Sequence, residues 1–330
     1  MQMILISINN RLTRTYLSYA LVAALSVILS ACGGGSDLAS SSAGVAVASS
    51  SPSAVSLAAI NLATPAGTAC TSSFSNTDAF GNIKLKLSQG TTPWGCLVVD
   101  QANSQPTYSG SQSVRFEVRE GDCDATQTFI SGSDLKATDC STSRSRYEIY
   151  ENSGNSTEGQ IITYEYSIYV PTQPLIQPAP SKGASSTPLT VLTQINWSCS
   201  TNAPCPTIGS NGYGALAFLK TDYTGALYLQ THKDFTWTTN QVVTIDTKPQ
   251  DKWVKLKYVI KSTAEADGFI WIFVNDKLVI NETRSTLPNS SAKDALKLGI
   301  YNSSKSSGAE PWQTQVVYFD GFSTLVQNFK

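Results

Sequence analysis

Hydrophobic and polar residues alternate along most of the chain beyond residue 80, which is the pattern of strands buried on one face. In the segment 114–119, Val114, Phe116 and Val118 fall on one side and three charged residues on the other. No segment has a 3.6-residue hydrophobic period with helix caps. Strands are therefore predicted at 83–87, 114–119, 147–150, 161–170, 189–197, 215–219, 226–230, 242–245, 253–261, 269–280, 296–301 and 315–319, with a hairpin turn at Asn275-Asp276, since Asn and Asp tolerate positive φ.

Many alternating strands at regular spacing predict an all-β protein, a jelly-roll β-sandwich of the concanavalin-like kind with two antiparallel sheets. Only 14% of the 330 residues are charged, against roughly 25% in a typical soluble domain, which argues against helical bundles, coiled coils and disordered regulators. The net charge of −1 gives no basic field for nucleic acid. With one His and two Met in the chain, no histidine-built metal site is expected.

The first residues have the pattern of a bacterial lipoprotein signal peptide. Arg11 and Arg14 precede an apolar run at 17–29, which is shorter than the ~20 residues that a membrane-spanning helix needs. The tetrad 29–32, Leu-Ser-Ala-Cys, resembles a lipobox, in which cleavage precedes a lipidated cysteine. We therefore expect residues 1–31 to be removed and Cys32 to carry a lipid that binds the membrane.

Three regions are predicted from this N-terminus onward: a signal peptide at 1–31, a lipidated Ser/Ala/Gly-rich tether at 32–67, and one domain at 68–330. Removing 1–31, which holds two arginines and no acidic residue, changes the net charge from −1 to −3. Gly33 after the cysteine resembles the bacterial sorting signal for the outer membrane. The expected location is the cell envelope, with the chain anchored by its lipid.

Six cysteines remain beside Cys32, and an even number in an exported chain predicts three disulfides. The sequence does not select one connectivity. Local pairing is favoured because each pair flanks a polar, turn-rich stretch, giving Cys70–Cys96, Cys123–Cys140 and Cys199–Cys205. A cysteine metal site is not expected, since no two cysteines have the CxxC spacing.

Two predicted strands carry an Arg-x-Glu pattern on one face, Arg115 with Glu117 and Arg146 with Glu148. Together they would line a polar groove on a sheet surface. The alternative is a solvated outer face with cross-strand ion pairs, each worth a few tenths of a kcal/mol.

Three segments resemble the signature strands of the alginate-lyase-type jelly rolls: 115–119 (Arg-Phe-Glu-Val-Arg), 194–196 (Gln-Ile-Asn) and 296–302 (Leu-Lys-Leu-Gly-Ile-Tyr-Asn). The domain resembles still more the wider polysaccharide-lyase family that includes heparin lyase I and glucuronan lyase. That likeness rests on the segments 115–122, 146–148, 164–171, 253–275, 296–301 and 317–322, and it covers roughly residues 75–325.

The resemblance implies β-elimination on an acidic, uronate-containing polysaccharide, in which donors neutralise the carboxylate, a base removes the C5 proton and an acid protonates the leaving oxygen. Position by position, it implies catalytic roles for Tyr301, Gln194, Asn196, Arg146 and His232, and substrate-binding roles for Arg115, Glu117, Arg119, Glu148, Lys297 and Asn302. Asn196 stands where the family has a histidine base, and His232 is the only histidine in the chain. If His232 is an ordinary loop residue, Tyr301 has to be both base and acid.

Other functions stay open at this point. A non-catalytic carbohydrate-binding or lectin-like sandwich would explain the loss of the histidine at Asn196. A hydrolase would need a carboxylate pair, for which Glu117 and Glu148 are candidates, and a purely structural lipoprotein is a further alternative. The expected enzyme is a monomer without an organic cofactor, and a structural Ca²⁺ near Asp122 and Asp124 is not assignable.

Overall fold

The computed structural model describes only part of the chain, and the signal peptide, Cys32, Cys199 and Cys205 lie outside the described residues. The described ranges are 64–70, 73–74, 79, 85–89, 92–119, 122–123, 129–131, 134–137, 139–141, 144–151, 156–172, 190–198, 215–221, 225–232, 239–302 and 314–328. Within these ranges no helix is long and apolar enough to cross a membrane.

The described residues form strands and one short 3₁₀ helix, Gln101–Asn103. The strands are β1 (Thr68–Ala69), β2 (Ser73–Phe74), β3 (Leu85–Gln89), β4 (Cys96–Asp100), β5 (Gln112–Val118), β6 (Phe129–Ser131), β7 (Asp134–Ala137), β8 (Ser145–Glu151), β9 (Gln160–Tyr169), β10 (Thr190–Ser198), β11 (Ala215–Thr221), β12 (Leu227–His232), β13 (Thr239–Asp246), β14 (Trp253–Ser262), β15 (Phe269–Val274), β16 (Lys277–Thr283), β17 (Lys293–Asn302) and β18 (Gln315–Asn328).

Two eight-stranded antiparallel sheets make up the fold. Sheet A has the order β1-β4-β5-β18-β9-β14-β15-β16, and sheet B has the order β13-β12-β11-β10-β17-β8-β3-β2. β6 and β7 pair separately as a small hairpin. The prediction of an all-β jelly-roll sandwich of two antiparallel sheets is confirmed.

The core lies between the two sheets and follows the alternation in the sequence. On β14, Val254, Leu256, Tyr258 and Ile260 are buried in the core, while the residues between them are partly exposed. The fully buried Tyr166 of β9 joins the sheets, since its hydroxyl donates to Thr193 Oγ1 of β10 at 2.8 Å. The apolar faces of both sheets are thereby buried against each other, so a binding or catalytic site on these sheets lies on an outer face.

The hairpin turn predicted at Asn275-Asp276 is confirmed. Both residues have positive φ, 48° and 65°, and they connect β15 to β16. Positive φ at both central positions is the type I′ geometry, which matches the twist of the flanking strands.

Two of the predicted disulfides are confirmed. Cys70–Cys96 joins the segment after β1 to β4, and Cys123–Cys140 closes a loop that contains β6 and β7. The third predicted pair, Cys199–Cys205, falls outside the described part of the chain.

Candidate active site

The outer face of sheet B carries all five residues that the sequence analysis predicts to be catalytic. On β17, Leu296, Leu298 and Ile300 are buried in the core, so the alternation directs Lys297 and Tyr301 to the opposite side of the sheet. We call this side the polar face, and its side chains include Arg146, Glu148, Gln194, Asn196, Phe218, Lys220, Gln230, His232, Lys297 and Tyr301.

Arg146 and Tyr301 are neighbours at the centre of the polar face. They are cross-strand partners on β8 and β17, and the Arg146 guanidinium carbon lies 4.3 Å from the centre of the Tyr301 ring. Two residues before Tyr301, Gly299 has φ 144°, and a Cβ there would lie 2.1 Å from the carbonyl oxygen of Tyr147. Glycine is thus required for the close approach of the two strands that brings Tyr301 against Arg146.

Two carboxylates hold the Arg146 guanidinium in place. Asp139, which is fully buried, accepts from Nε at 2.7 Å and from Nη2 at 2.5 Å, and Glu148 Oε2 lies 3.7 Å from Nη1. Burial lowers the pKa of Arg146, but the hydrogen bond to Asp139 and the charge of Glu148 outweigh it, so the net shift is upward. Arg146 therefore stays cationic and fixed beside Tyr301, and Asp139 is a positioning residue that the sequence analysis missed.

Gln194 extends this cluster across the next strand. Its side-chain amide donates to Glu148 Oε1 at 2.5 Å, and its Oε1 accepts from Asn196 Nδ2 at 3.4 Å. A register shift between Val191 and Thr193 changes the phase of β10. Because of this bulge, Val191 and Gln194 both lie on the polar face although they are three residues apart.

Tyr301 is the group best placed for proton transfer. It is partly buried and packs against a small apolar cluster formed by Val191, Ala215 and Phe218. Burial raises the pKa of Tyr301, and the positive charges of Arg146 and Arg144 offset part of this rise. At neutral pH the phenol therefore keeps its proton in the resting protein.

A second cluster lies on β11 and β12 of the same face. Lys220 Nζ donates to Gln230 Oε1 at 2.5 Å, and Gln230 Nε2 lies 3.0 Å from His232 Nε2. The rings of His232 and Phe218 are in edge contact, with centres 5.2 Å apart. His232 thus faces the same side as Tyr301 but lies three strands away from it, beyond β10 and β11.

The predicted groove lined by both Arg-x-Glu strands is wrong, because β5 lies in sheet A and β8 in sheet B. Arg115 and Glu117 are buried and joined by an ion pair of 2.5 Å, and Arg119 also bonds Glu117 and lies 4.2 Å from the Trp94 ring centre. Since Phe116 between them faces the core, these charges lie on the far side of sheet A. Their expected placement beside the substrate is not what the structure shows.

Two further expectations are also corrected. Asn302 does not face Tyr301's side of β17, because it is fully buried and bonds Thr190, Ser145 and Gln315. Glu117 and Glu148 cannot form the carboxylate pair of a hydrolase, since they lie in different sheets on faces directed away from the core. Lys297 does lie on the polar face, where its strand partners are Gln194 and Tyr150.

No group of three or more His, Cys, Asp or Glu suited to hold a metal ion occurs among the residues that the structure describes. Glu148 of the polar face instead bonds Arg146 and the amide of Gln194, and Asp139 bonds Arg146.

The fold and this face define a β-sandwich protein with a candidate active site on the outside of one sheet. The sequence model of the polysaccharide lyase family matches residues 88–323, which is well over half of the chain. The chain belongs to this family and is a polysaccharide lyase.

Solved structures similar to this chain are remote in sequence. An endo-β-1,4-glucuronan lyase from the fungus Trichoderma reesei is 12% identical, with a TM-score of 0.46, over 69% of this chain and 86% of the other. A marine alginate lyase from Zobellia galactanivorans is 16% identical, with a TM-score of 0.42, over 67% and 83% of the two chains. An alginate lyase in complex with dimannuronate is 10% identical, with a TM-score of 0.41, over 66% and 76%. A comparison with curated protein sequences finds no match.

Proposed function

We propose that the protein cleaves an acidic, uronate-containing polysaccharide by β-elimination on the polar face of sheet B. The observation that carries the proposal is the contact of Tyr301 with Arg146, which is itself held by Asp139 and Glu148. A tyrosine fixed against an arginine and flanked by amide donors is suited to a substrate that carries a carboxylate next to the proton to be removed.

The first requirement of the reaction is to neutralise the uronate carboxylate. The C5 proton is very weakly acidic, and it becomes removable only when donors stabilise the negative charge that moves onto the carboxylate. Arg146 and the amides of Gln194 and Asn196 are the donors on this face. In this proposal Asn196 binds the carboxylate, since an amide cannot accept the proton.

The second requirement is a base and an acid at adjacent carbon atoms of one sugar, C5 and C4. His232 lies three strands from Tyr301, about 14 Å across the sheet at about 4.8 Å per strand. The two side chains therefore cannot act together on C5 and C4 of one sugar. Tyr301 therefore performs both steps. Its phenolate takes the C5 proton, the C4–O bond breaks as the C4–C5 double bond forms, and the phenol returns that proton to the leaving oxygen.

If Tyr301 is the base, the direction in which kcat changes with pH follows. Tyr301 has to be ionised before it removes a proton, and its raised pKa leaves few molecules ionised at neutral pH. The kcat at saturating substrate is expected to rise with pH until the pKa of Tyr301 is passed. A kcat that falls over the same range would mean that Tyr301 acts only as the acid and that another group is the base.

The test of the proposed function is the ultraviolet absorbance of the unsaturated uronate product. The purified chain is mixed separately with alginate, glucuronan, heparin and a neutral glucan as control. A rise with at least one uronate polymer and none with the neutral glucan supports the lyase. No product from any uronate polymer, together with calorimetric binding of one of them, would replace it with the non-catalytic binding function that Asn196 also suits.

We propose further that the enzyme works at the outer membrane, held by a lipid on Cys32 and a flexible tether to the domain. The support is the tetrad at 29–32 and the Ser/Ala/Gly-rich composition after it. A labelled fatty acid should enter the wild-type chain and not the Cys32→Ser variant. Equal labelling of the two chains would contradict the anchor.

A further inference from the structure

Lys220 is a buried cation on the polar face that the reaction proposed above does not use. Only 7% of the residue is exposed. Its Nζ bonds the neutral amide of Gln230 and lies 4.6 Å from the centre of the Phe218 ring. Among the residues that the structure describes, Lys220 forms no ion pair with a carboxylate.

The surroundings of Lys220 favour loss of its charge unless an anion is supplied. Burial lowers the pKa of Lys220 to about 8. Its cross-strand partners are the titratable Tyr228 on β12 and the apolar Val191 on β10. His232 is linked to it only through Gln230, which bonds both side chains. A buried lysine with an amide and an aromatic ring as partners resembles half of an ion pair whose other half comes from a ligand.

Lys220 is also aligned with the proposed reaction centre. Val191 of β10 is the cross-strand partner of both Tyr301 on β17 and Lys220 on β11, and Phe218 belongs to the cluster against which Tyr301 packs. Lys220 and Tyr301 are therefore two strands apart on one row, about 10 Å at the usual strand spacing. A short oligosaccharide lying across the strands spans that distance.

We propose that Lys220 forms a second carboxylate-binding subsite, which holds a uronate unit other than the one that reacts at Tyr301. The inference rests on the proposed function, since only a polymer with repeated carboxylates presents one anion to Arg146 and another to Lys220. Gln230 and Phe218 position the ammonium group, and the substrate carboxylate is its counter-ion. The subsite acts in binding and not in proton transfer.

The experiment measures calorimetric binding of oligouronates, made from a polymer that the enzyme cleaves, to a Tyr301→Phe background in which no turnover occurs. At about pH 7, Lys220→Met is expected to weaken binding about tenfold or more, since a hydrogen bond to a charged group is worth roughly 1.5–3 kcal/mol. Lys220→Arg, which keeps the charge, retains most of the affinity. The matched control is Lys257→Met, because Lys257 also lies 4.6 Å from a ring, that of Phe273, but on β14 of the other sheet.

The pH response separates a charge contact from a loss of packing. With Lys220 present, affinity should fall between about pH 7 and about pH 9, as the ammonium deprotonates. The Lys220→Arg variant should show no such fall, since arginine stays charged. Equal affinities for Lys220→Met and the Lys257→Met control, or the same pH response in the Lys220→Arg variant, would overturn the subsite.

Failure of the subsite and failure of the lyase give different results. If the wild-type chain releases product while Lys220→Met binds normally, the subsite is wrong and the lyase stands. If no polymer is cleaved, the same calorimetry with alginate and glucuronan oligomers on the wild-type chain still decides the role of Lys220. Binding that depends on Lys220 then supports the subsite, and binding that does not depend on it, or no binding, overturns it.

Discussion

Replacing Tyr301 by phenylalanine is expected to lower kcat about 10²–10⁴-fold, the usual contribution of a general acid–base group. The change removes only the phenol oxygen. The ring remains, so its contact with Arg146 and its packing against the cluster of Val191, Ala215 and Phe218 persist. KM should change little, because carboxylate binding is assigned to Arg146 and the amides and not to the hydroxyl.

The matched control for Tyr301→Phe is Tyr169→Phe. Tyr169 is on β9 of sheet A, and its hydroxyl bonds Asp251 at the surface. This control should retain wild-type kcat. If the kcat of Tyr301→Phe is within a few-fold of the control and circular dichroism shows unchanged folding, the Tyr301 hydroxyl does not take part in proton transfer. Any residual activity of Tyr301→Phe should also lose the rise of kcat with pH.

Replacing Glu117 by alanine is expected to lower the free energy of unfolding by roughly 3–5 kcal/mol, the cost of leaving a buried partner charge uncompensated. Glu117 is fully buried and bonds both Arg115 and Arg119, and Arg115 itself is only 3% exposed. Alanine leaves the Arg115 guanidinium buried without this carboxylate. At roughly 2–4 °C per kcal/mol for a domain of this size, the melting temperature should fall by about 10 °C.

The control for Glu117→Ala is Glu165→Ala on the outer face of the same sheet. Glu165 is partly exposed and pairs with Lys255 at 3.3 Å, and such surface pairs are worth less than about 1 kcal/mol. Below its melting temperature, Glu117→Ala should keep the wild-type KM. A stable Glu117→Ala protein with a raised KM would indicate that the Arg115–Glu117 pair binds substrate, and it would contradict the structural role.

The strands and the class of fold are readable from the sequence because one-sided burial imposes a period of two residues. On β14 the alternation matches the observed burial from Trp253 to Ser262. The turn at Asn275-Asp276 is equally local, since its backbone angles depend on these two residues. Features set by neighbours in sequence were thus predictable.

Which strands pair with each other could not be predicted from local alternation. The segments containing Arg115 and Arg146 look alike in sequence, yet β5 pairs with β4 and β18 while β8 pairs with β3 and β17. Which of the two arginines lies beside Tyr301 is decided by these long-range pairings. Local alternation is the same in either sheet.

The missed residues of the site share this origin. Asp139 lies before β8 and is recognisable only through its bonds to Arg146. The position of Lys220 relative to the reaction centre depends on the strand register that aligns it with Val191 and Tyr301, and the sequence does not give this register. The bulge in β10 shifts the alternation between Val191 and Thr193. Counting back from Gln194 with a strict period of two would therefore place Val191 on the core side, whereas it lies on the polar face.

The order of strands in the two sheets has a consequence for biosynthesis. β17 lies between β10 and β8 in sheet B, and β18 lies between β5 and β9 in sheet A. Among the strands that the structure describes, β17 and β18 are the last along the chain, so neither sheet is complete until residues 293–328 have left the ribosome. Until then β5, β8, β9 and β10 each have one unpaired edge, which is the condition in which strands associate with other chains. A nascent or truncated chain that ends before residue 293 is therefore expected to depend on chaperones or to be degraded.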